Sequence, residues 1–109
     1  MNLQQVAQDL IATYQKHGWQ LKRVLLRPDT RTHFEESSSS LLDVQPAESE
    51  VDALWFSRPS HEGREAWELR LISENPYALF ETFEKDETEE QREEMRLELE
   101  ARLREYVTR

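Results

Sequence analysis

The chain has 109 residues, of which 37% are hydrophobic and 34% are charged, and its net charge is −9 at neutral pH. This size predicts one domain, residues 1–109, with an ordinary core beneath a heavily charged surface. The absence of cysteine excludes disulfides and thiol chemistry, and the acidity disfavours nucleic acid as a partner. The sequence has neither a signal-peptide pattern nor a stretch apolar enough to span a membrane, so we expect a cytoplasmic protein with no membrane partner.

The first 27 residues predict a helix followed by a strand. In residues 2–17, apolar side chains recur at the three- and four-residue spacing of an amphipathic helix: Leu3, Val6, Ala7, Leu10, Ile11 and Tyr14. Gly18 follows at the position where such a helix would end. Residues 19–27, WQLKRVLLR, are rich in large side chains and lie between Gly18 and Pro28, which is typical of a strand that residues 30–34 could extend.

Residues 35–50, EESSSSLLDVQPAESE, predict a flexible acidic and serine-rich loop. Four consecutive serines, five acidic residues and one proline surround three apolar residues, Leu41, Leu42 and Val44. These three side chains could anchor the loop to the rest of the fold.

Three further strands are predicted between residues 51 and 84. They cover residues 51–58, 65–73 and 77–84, and the segments between them contain turn-forming proline, glycine and asparagine. Because the turns are short, successive strands should pair in an antiparallel meander.

The sequence pattern of residues 88–109 predicts a helix more clearly than any other element is predicted. Thr88 and Gln91 have the spacing of a capping box, and acidic residues precede arginines along the segment, as the helix dipole favours. The expected core stripe consists of Met95, Leu99, Leu103, Tyr106 and Val107. Leu97 lies off this stripe.

These elements predict an α+β fold in the order α-β-β-β-β-α. We expect a two-layer sandwich in which an antiparallel four-stranded sheet carries both the N- and C-terminal helices on one face. The strands are not cleanly amphipathic, however, since Leu54 and Phe56 alternate with Val51, Ala53 and Trp55. Some segment of this chain or of a partner should therefore cover part of the second face.

The second sheet face supplies the candidate partner-binding residues. We select Leu54, Phe56 and Phe80, together with Leu97 from the last helix, because such residues exposed together would exceed the apolar patch of an ordinary monomer. Either a second copy of the chain, another protein or the loop 35–50 is expected to cover them.

A cluster of arginines near the 58–65 turn supports an alternative function. Arg58, Arg64 and Arg70 are candidates for binding an anion or a carboxylate, and a small ligand-binding protein or enzyme could use such a pocket. Cross-strand pairing with neighbouring acidic residues is the simpler explanation of these arginines.

No motif for catalysis, a cofactor or a metal is found. The histidines, His17, His33 and His61, lie far apart, and the sequence contains no zinc-helix, nucleophile-elbow or glycine-rich phosphate motif. We therefore expect a non-enzymatic protein-protein interaction module or homodimer, without a cofactor. In size, acidity and element order the chain is similar to type III secretion chaperones and to bacterial immunity and antitoxin proteins, a resemblance that implies docking on a protein through a sheet face.

Overall fold

A computed structural model describes residues 2–36 and 44–109 of the chain. The described residues form an α+β fold, as predicted, with three α-helices and five strands. In chain order the elements are α1 (Leu3–Lys16), β1 (Gln20–Leu26), α2 (Pro28–Glu36), β2 (Ala47–Glu48), β3 (Ala53–Pro59), a 3₁₀ turn (His61–Gly63), β4 (Glu65–Leu71), β5 (Ala78–Phe83) and α3 (Glu89–Val107). No helix in this part of the chain is long and apolar enough to cross a membrane.

The strands form one sheet in the order β2-β1-β3-β4-β5. The predicted meander is confirmed for β3, β4 and β5, and β1 pairs antiparallel with β3. The sheet is nevertheless mixed rather than purely antiparallel, because β2 pairs parallel with β1 through Leu25↔Ala47 and Leu26↔Glu48. A strand of two residues is too short to produce an alternation pattern, so the sequence did not predict it.

Residues 30–34, for which the sequence allowed an extension of the first strand, lie instead in the helix α2. Pro28 occupies the first helical position, where its missing N–H costs nothing. The carboxylate of Asp52 accepts hydrogen bonds from the backbone N–H of Arg27 at 2.8 Å and from the hydroxyl of Thr30 at 2.9 Å. A distant residue thus stabilises the start of α2. The proposed loop anchors Leu41 and Leu42 lie outside the described residues.

The helices α1 and α3 lie on opposite faces of the sheet, so the prediction that both share one face was wrong. Ala7 and Ile11 of α1 belong to a core cluster with Leu54 and Phe56 of β3. Leu99 and Leu103 of α3 belong to a second cluster, with Ala53, Trp55 and Leu69. Since alternate residues of a strand face opposite ways, β3 contributes to both clusters and is buried from Ala53 to Ser57. Its apolar pattern on both faces is the pattern of a central strand covered on each side.

The predicted capping box of α3 is present. The Thr88 hydroxyl accepts from the Gln91 backbone N–H at 3.1 Å, and the Gln91 side chain accepts from the Thr88 N–H at 2.9 Å. Leu99 and Leu103 are buried as expected, whereas Tyr106 stacks on the ring of Tyr77 at 3.6 Å and remains 38% exposed. The last turn of α3 therefore lies at the margin of the sheet rather than over its centre.

Candidate functional site

Burial separates the four partner-binding candidates into two pairs. Leu54 and Phe56 are 0% exposed, whereas Phe80 is 57% exposed and Leu97 is 53% exposed. The ring of Tyr14 in α1 stacks on Phe56, with 4.1 Å between the centroids and 10° between the planes. Leu54 and Phe56 therefore lie in the core beneath α1 and cannot contact a partner in this fold.

The two exposed candidates, Phe80 and Leu97, lie on opposite sides of the sheet. Phe80 pairs across strands with Glu68, which in turn pairs with Phe56, so all three side chains project from the α1 face. Leu97 belongs to α3, which packs on the other face. One flat docking surface therefore cannot include both residues.

Among the described residues, α1 covers this face of the sheet over β1 and β3 and also buries Ala66 of β4. We call the surface beyond it, which no described helix covers, the open half-face; it consists of Glu68 and Arg70 from β4 and Ala78, Phe80 and Thr82 from β5. Ala78 and Thr82 have small side chains and flank Phe80 along the strand, so the ring is the largest apolar group of this surface. The ring of Phe80 therefore protrudes from a surface whose neighbouring β5 side chains are small.

One backbone edge of β5 pairs with no other strand of residues 2–36 and 44–109. The N–H of Leu71 donates to the C=O of Tyr77 at 3.0 Å, which makes these opposite residues a hydrogen-bonded pair. Because hydrogen-bonded and non-hydrogen-bonded pairs alternate in an antiparallel ladder, the backbone groups of Ala78, Phe80 and Thr82 point away from β4. The N–H of Thr82 accordingly donates to the neighbouring Glu81 carboxylate at 3.2 Å. The exposed ring of Phe80 thus lies at the centre of a free strand edge.

The three anion-binding candidates, Arg58, Arg64 and Arg70, form different contacts within the protein. Arg64 forms salt bridges with Glu84 at 3.0 Å and Glu62 at 3.7 Å, as cross-strand pairing would predict. The Nε of Arg70 donates to the backbone carbonyl of Leu71 at 3.2 Å. The structure therefore does not gather the three arginines on one ligand.

The guanidinium of Arg58 stacks on an aromatic ring and forms no ion pair with a described residue. Its guanidinium carbon lies 4.5 Å from the centroid of the Trp19 ring, and its Nη1 donates to the backbone carbonyl of His17 at 3.2 Å. In the described part of the chain no carboxylate lies within salt-bridge distance of Arg58. Its remaining N–H groups are therefore available to another acceptor.

A surface cavity of about 380 Å³ opens between the end of α1 and the strands β3 and β4. It is lined by Thr13, Tyr14, His17, Trp19, Arg58 and Glu68, and we call it the Arg58 cavity. The Tyr14 hydroxyl donates a short hydrogen bond to Oε2 of Glu68. A cation, a carboxylate and aromatic rings therefore surround one concave space.

Burial, together with the neighbouring Glu68 carboxylate that accepts the hydroxyl proton in a hydrogen bond, raises the pKa of Tyr14 to about 12, against a smaller opposing effect of Arg70. The folded state thus favours the neutral phenol. The stabilisation that results is fully present below pH 10, the ordinary value, and is lost as the pH rises from 10 through 12.

We expect Tyr14→Phe to remove this alkaline dependence of stability. A shift of this size corresponds to at most about 2–3 kcal/mol, and partial exposure of Tyr14 to solvent reduces the real value. Chemical denaturation of the wild type and the variant at pH values from neutral to alkaline measures the effect, with Tyr106→Phe as a control in an exposed tyrosine. Equal pH slopes for wild type and Tyr14→Phe would contradict the assignment.

The sequence did not predict the Arg58 cavity, although one signal was present. Tyr14 belongs to the predicted apolar stripe of α1, and Glu68 is a charged residue between Trp67 and Leu69 in β4. A polar residue that interrupts a buried strand indicates either a surface position or a polar partner. The partner itself depends on where α1 crosses the sheet, which local patterns do not determine.

We searched the described residues for metal-binding clusters and compared the chain with known proteins. Across residues 2–36 and 44–109, no three histidine or acidic side chains converge in an arrangement that could hold a metal ion. The open half-face and the Arg58 cavity are the two surfaces that contain exposed candidate residues predicted from the sequence, Phe80 and Arg58. No family model matches the chain, and no curated protein and no solved structure matches it.

Proposed function

We propose that this protein is a non-enzymatic interaction module that forms a homodimer by pairing β5 with β5 of a second copy. The observation that carries this proposal is Phe80, which is 57% exposed at the centre of a strand edge that no described strand pairs with. An exposed aromatic residue on a free edge favours association, because proteins usually shield such edges.

The outward backbone groups of β5 suit a two-fold axis at Phe80. In an antiparallel pair centred on this residue, Phe80 faces Phe80 of the second copy, and Ala78 faces Thr82 of the second copy. These are the three residues whose backbone N–H and C=O groups point outward, so all of them would form hydrogen-bonded pairs. The two phenylalanine rings would lie side by side on the same face, where an aromatic pair contributes about 0.5–1.5 kcal/mol beyond its buried area.

The same register is compatible with the acidity of the chain. Glu81 would face Leu79 of the second copy on the α3 side, so no two acidic residues of β5 are directly opposed. Like charges directly opposite each other would destabilise the pair, and this register avoids them. The hydrogen bond from the Thr82 N–H to Glu81 would be exchanged for one across the interface.

The dimer should be weak. A single strand pair with one aromatic contact on each side gives an interface at the small end of the range for specific complexes. We therefore expect a dissociation constant that is roughly micromolar rather than nanomolar. Function would then depend on the local concentration of the protein.

Phe80→Glu should abolish the dimer. The two-fold axis would bring the two introduced carboxylates face to face, and the aromatic contact would be lost. Sedimentation velocity over concentrations from roughly 1 µM to roughly 1 mM should show a monomer–dimer equilibrium for the wild type and a monomer for Phe80→Glu. Leu97→Glu, which changes an equally exposed residue on the opposite side of the sheet, is the matched control and should still dimerise.

Ala78→Pro tests the backbone contacts separately. The N–H of Ala78 points away from β4, so proline there removes a donor to a second copy while the β4–β5 ladder keeps its hydrogen bonds. This variant should also be monomeric. A wild-type protein that stays monomeric over the whole concentration range, or a dimer lost in Leu97→Glu but not in Phe80→Glu, would overturn the proposal.

A further inference from the structure

We propose that the Arg58 cavity binds a small zwitterion of the amino-acid class, with its carboxylate on Arg58 and its amino group on Glu68. This role is separate from dimerisation, because it concerns the space between the end of α1 and the sheet rather than the edge of β5.

Arg58 is prepared to receive a carboxylate. Guanidinium groups carry five N–H donors in a planar fork that matches the two oxygens of a carboxylate. One nitrogen of Arg58 is used by the His17 carbonyl, and the Trp19 ring supports the plane from one side. The side chain is therefore oriented without being neutralised.

Glu68 selects against ligands that carry only negative charge. Its Oε2 is occupied by the Tyr14 hydroxyl, and its Oε1 forms no hydrogen bond or salt bridge in the described part of the chain. A free oxygen on a carboxylate accepts a bond from an ammonium group, and its charge repels phosphate or a second carboxylate. An anion without an amino group would satisfy only half of the site.

The spacing of the two charges fits a single small molecule. Arg58 pairs with Ala66 and Phe56 pairs with Glu68, so Arg58 and Glu68 are diagonal neighbours on adjacent strands. Such neighbours lie about 7–8 Å apart, with their Cβ atoms somewhat closer, which leaves room for an amino-acid head group between the ends of the two side chains. The volume of about 380 Å³ also accommodates a side chain, and the nearby rings of Tyr14 and Trp19 favour an apolar one.

Three ligands of the same shape distinguish the two charge contacts. L-Phenylalanine carries both charged groups, 3-phenylpropionate lacks the amino group, and phenethylamine lacks the carboxylate. Each is titrated into the wild-type protein while the indole N–H resonance of Trp19 is followed by NMR. We expect saturable binding of L-phenylalanine that is roughly millimolar, and about fivefold weaker binding of each analogue.

Three variants assign the contacts to residues. Arg58→Gln should weaken L-phenylalanine and 3-phenylpropionate about fivefold, with phenethylamine unchanged. Glu68→Gln keeps an acceptor for the Tyr14 hydroxyl and should abolish the preference for L-phenylalanine over 3-phenylpropionate. Arg64→Gln is the control, since Arg64 is held by Glu84 outside the cavity and its loss should leave all three affinities unchanged.

The ligand series in the wild type decides the proposal even where a variant misfolds. The proposal is overturned by the absence of a saturable shift with L-phenylalanine, or by 3-phenylpropionate binding as tightly as L-phenylalanine. It is also overturned by inorganic phosphate that competes as well as L-phenylalanine, because Glu68 then exerts no selection. Repeating the titration on the Ala78→Pro variant, which should also be monomeric and whose substitution lies outside the cavity, keeps this result distinct from the state of the dimer.

Discussion

Replacing Phe56 with glutamate is expected to unfold most of the protein at neutral pH. The ring of Phe56 is 0% exposed and is stacked beneath Tyr14, so a glutamate there would place a carboxylate in the core. The adjacent Glu68 carries the same charge and would oppose it further. Loss of the aromatic ring costs about 3–5 kcal/mol, and burying a polar group without a partner adds several more. A domain of this size has roughly 5–15 kcal/mol of stability in total.

Phe80→Glu is the matched control for this change. It makes the same substitution on the same face of the sheet, two strands away, where the side chain is 57% exposed. We expect it to cost less than about 1 kcal/mol, mainly from the like charge of Glu68 across the strand pair. Urea denaturation followed by circular dichroism measures both. A cooperative transition of near wild-type stability for Phe56→Glu would contradict the packing of α1 on β3.

Periodicity and capping signals predicted the long elements well. The apolar stripe of α1, the capping box at Thr88 and the turn at Asn75-Pro76 are local patterns, and each appears in the structure where it was expected. α2 was missed because its start depends on Asp52, which lies far away in sequence. β2 was not predicted because a strand of two residues is too short to show an alternation of apolar and polar side chains.

The face on which α3 packs could not be predicted from its sequence. Arg96 occupies a core position of the helix, where it is 2% exposed. An arginine in the apolar stripe weakens the amphipathic pattern, and a weak pattern does not determine which sheet face a helix covers. The alternation in β3 did indicate that both faces of that strand are buried, but it could not distinguish a helix from a loop or a partner as the cover.

The same limit explains the outcome for the candidate partner-binding residues. Leu54, Phe56 and Phe80 are all apolar residues that the sequence places on the second face of the sheet. In the structure Leu54 and Phe56 are buried under α1, whereas Phe80 lies beyond the reach of the helix and is exposed. In the part of the chain that the structure describes, α1 covers β1, β3 and Ala66 of β4, and no helix covers β5 on this face. The incomplete cover produces both candidate surfaces, since the Arg58 cavity lies beside α1 and the open half-face lies beyond it.

Arg96 is the residue of α3 whose replacement should affect stability most after the leucines. Its guanidinium carbon lies 4.0 Å from the centroid of the Trp67 ring, and its Nη1 donates to Glu89 at 2.6 Å and to Glu93 at 2.9 Å. Glu93 is also bound by Arg23 of β1, which connects the helix to the sheet. The Nε of Arg96 is buried without a hydrogen-bond partner. The side chain therefore contributes both packing and charge contacts, at the cost of one unsatisfied donor.

We expect Arg96→Ala to lower the free energy of unfolding by about 3 kcal/mol, since it removes a desolvated cation–π contact and leaves a void against Trp67. Arg96→Met keeps most of the volume and relieves the unsatisfied donor, so it should cost only about 1 kcal/mol. Arg102→Ala, which breaks an exposed salt bridge to Glu98, is the control and should cost less than about 0.5 kcal/mol. Urea denaturation of the three variants measures these differences. Equal losses for Arg96→Ala and Arg96→Met would show that charge rather than packing dominates.

The acid side of the stability profile gives a second readout of the same contacts. The hydrogen bond from Arg96 lowers the pKa of Glu89 below its ordinary value of 4.5, and hydrogen bonds from Arg23 and then Arg96 lower that of Glu93. A carboxyl group with a lowered pKa in the folded state stabilises the protein above its ordinary pKa, and this contribution is lost as the pH falls through the folded value. Wild-type stability should therefore decline below about pH 4.5, and Arg96→Met should decline less steeply there. Glu89 is largely exposed and Glu93 is partly exposed, so the difference in slope will be small, and Arg102→Ala should not reproduce it.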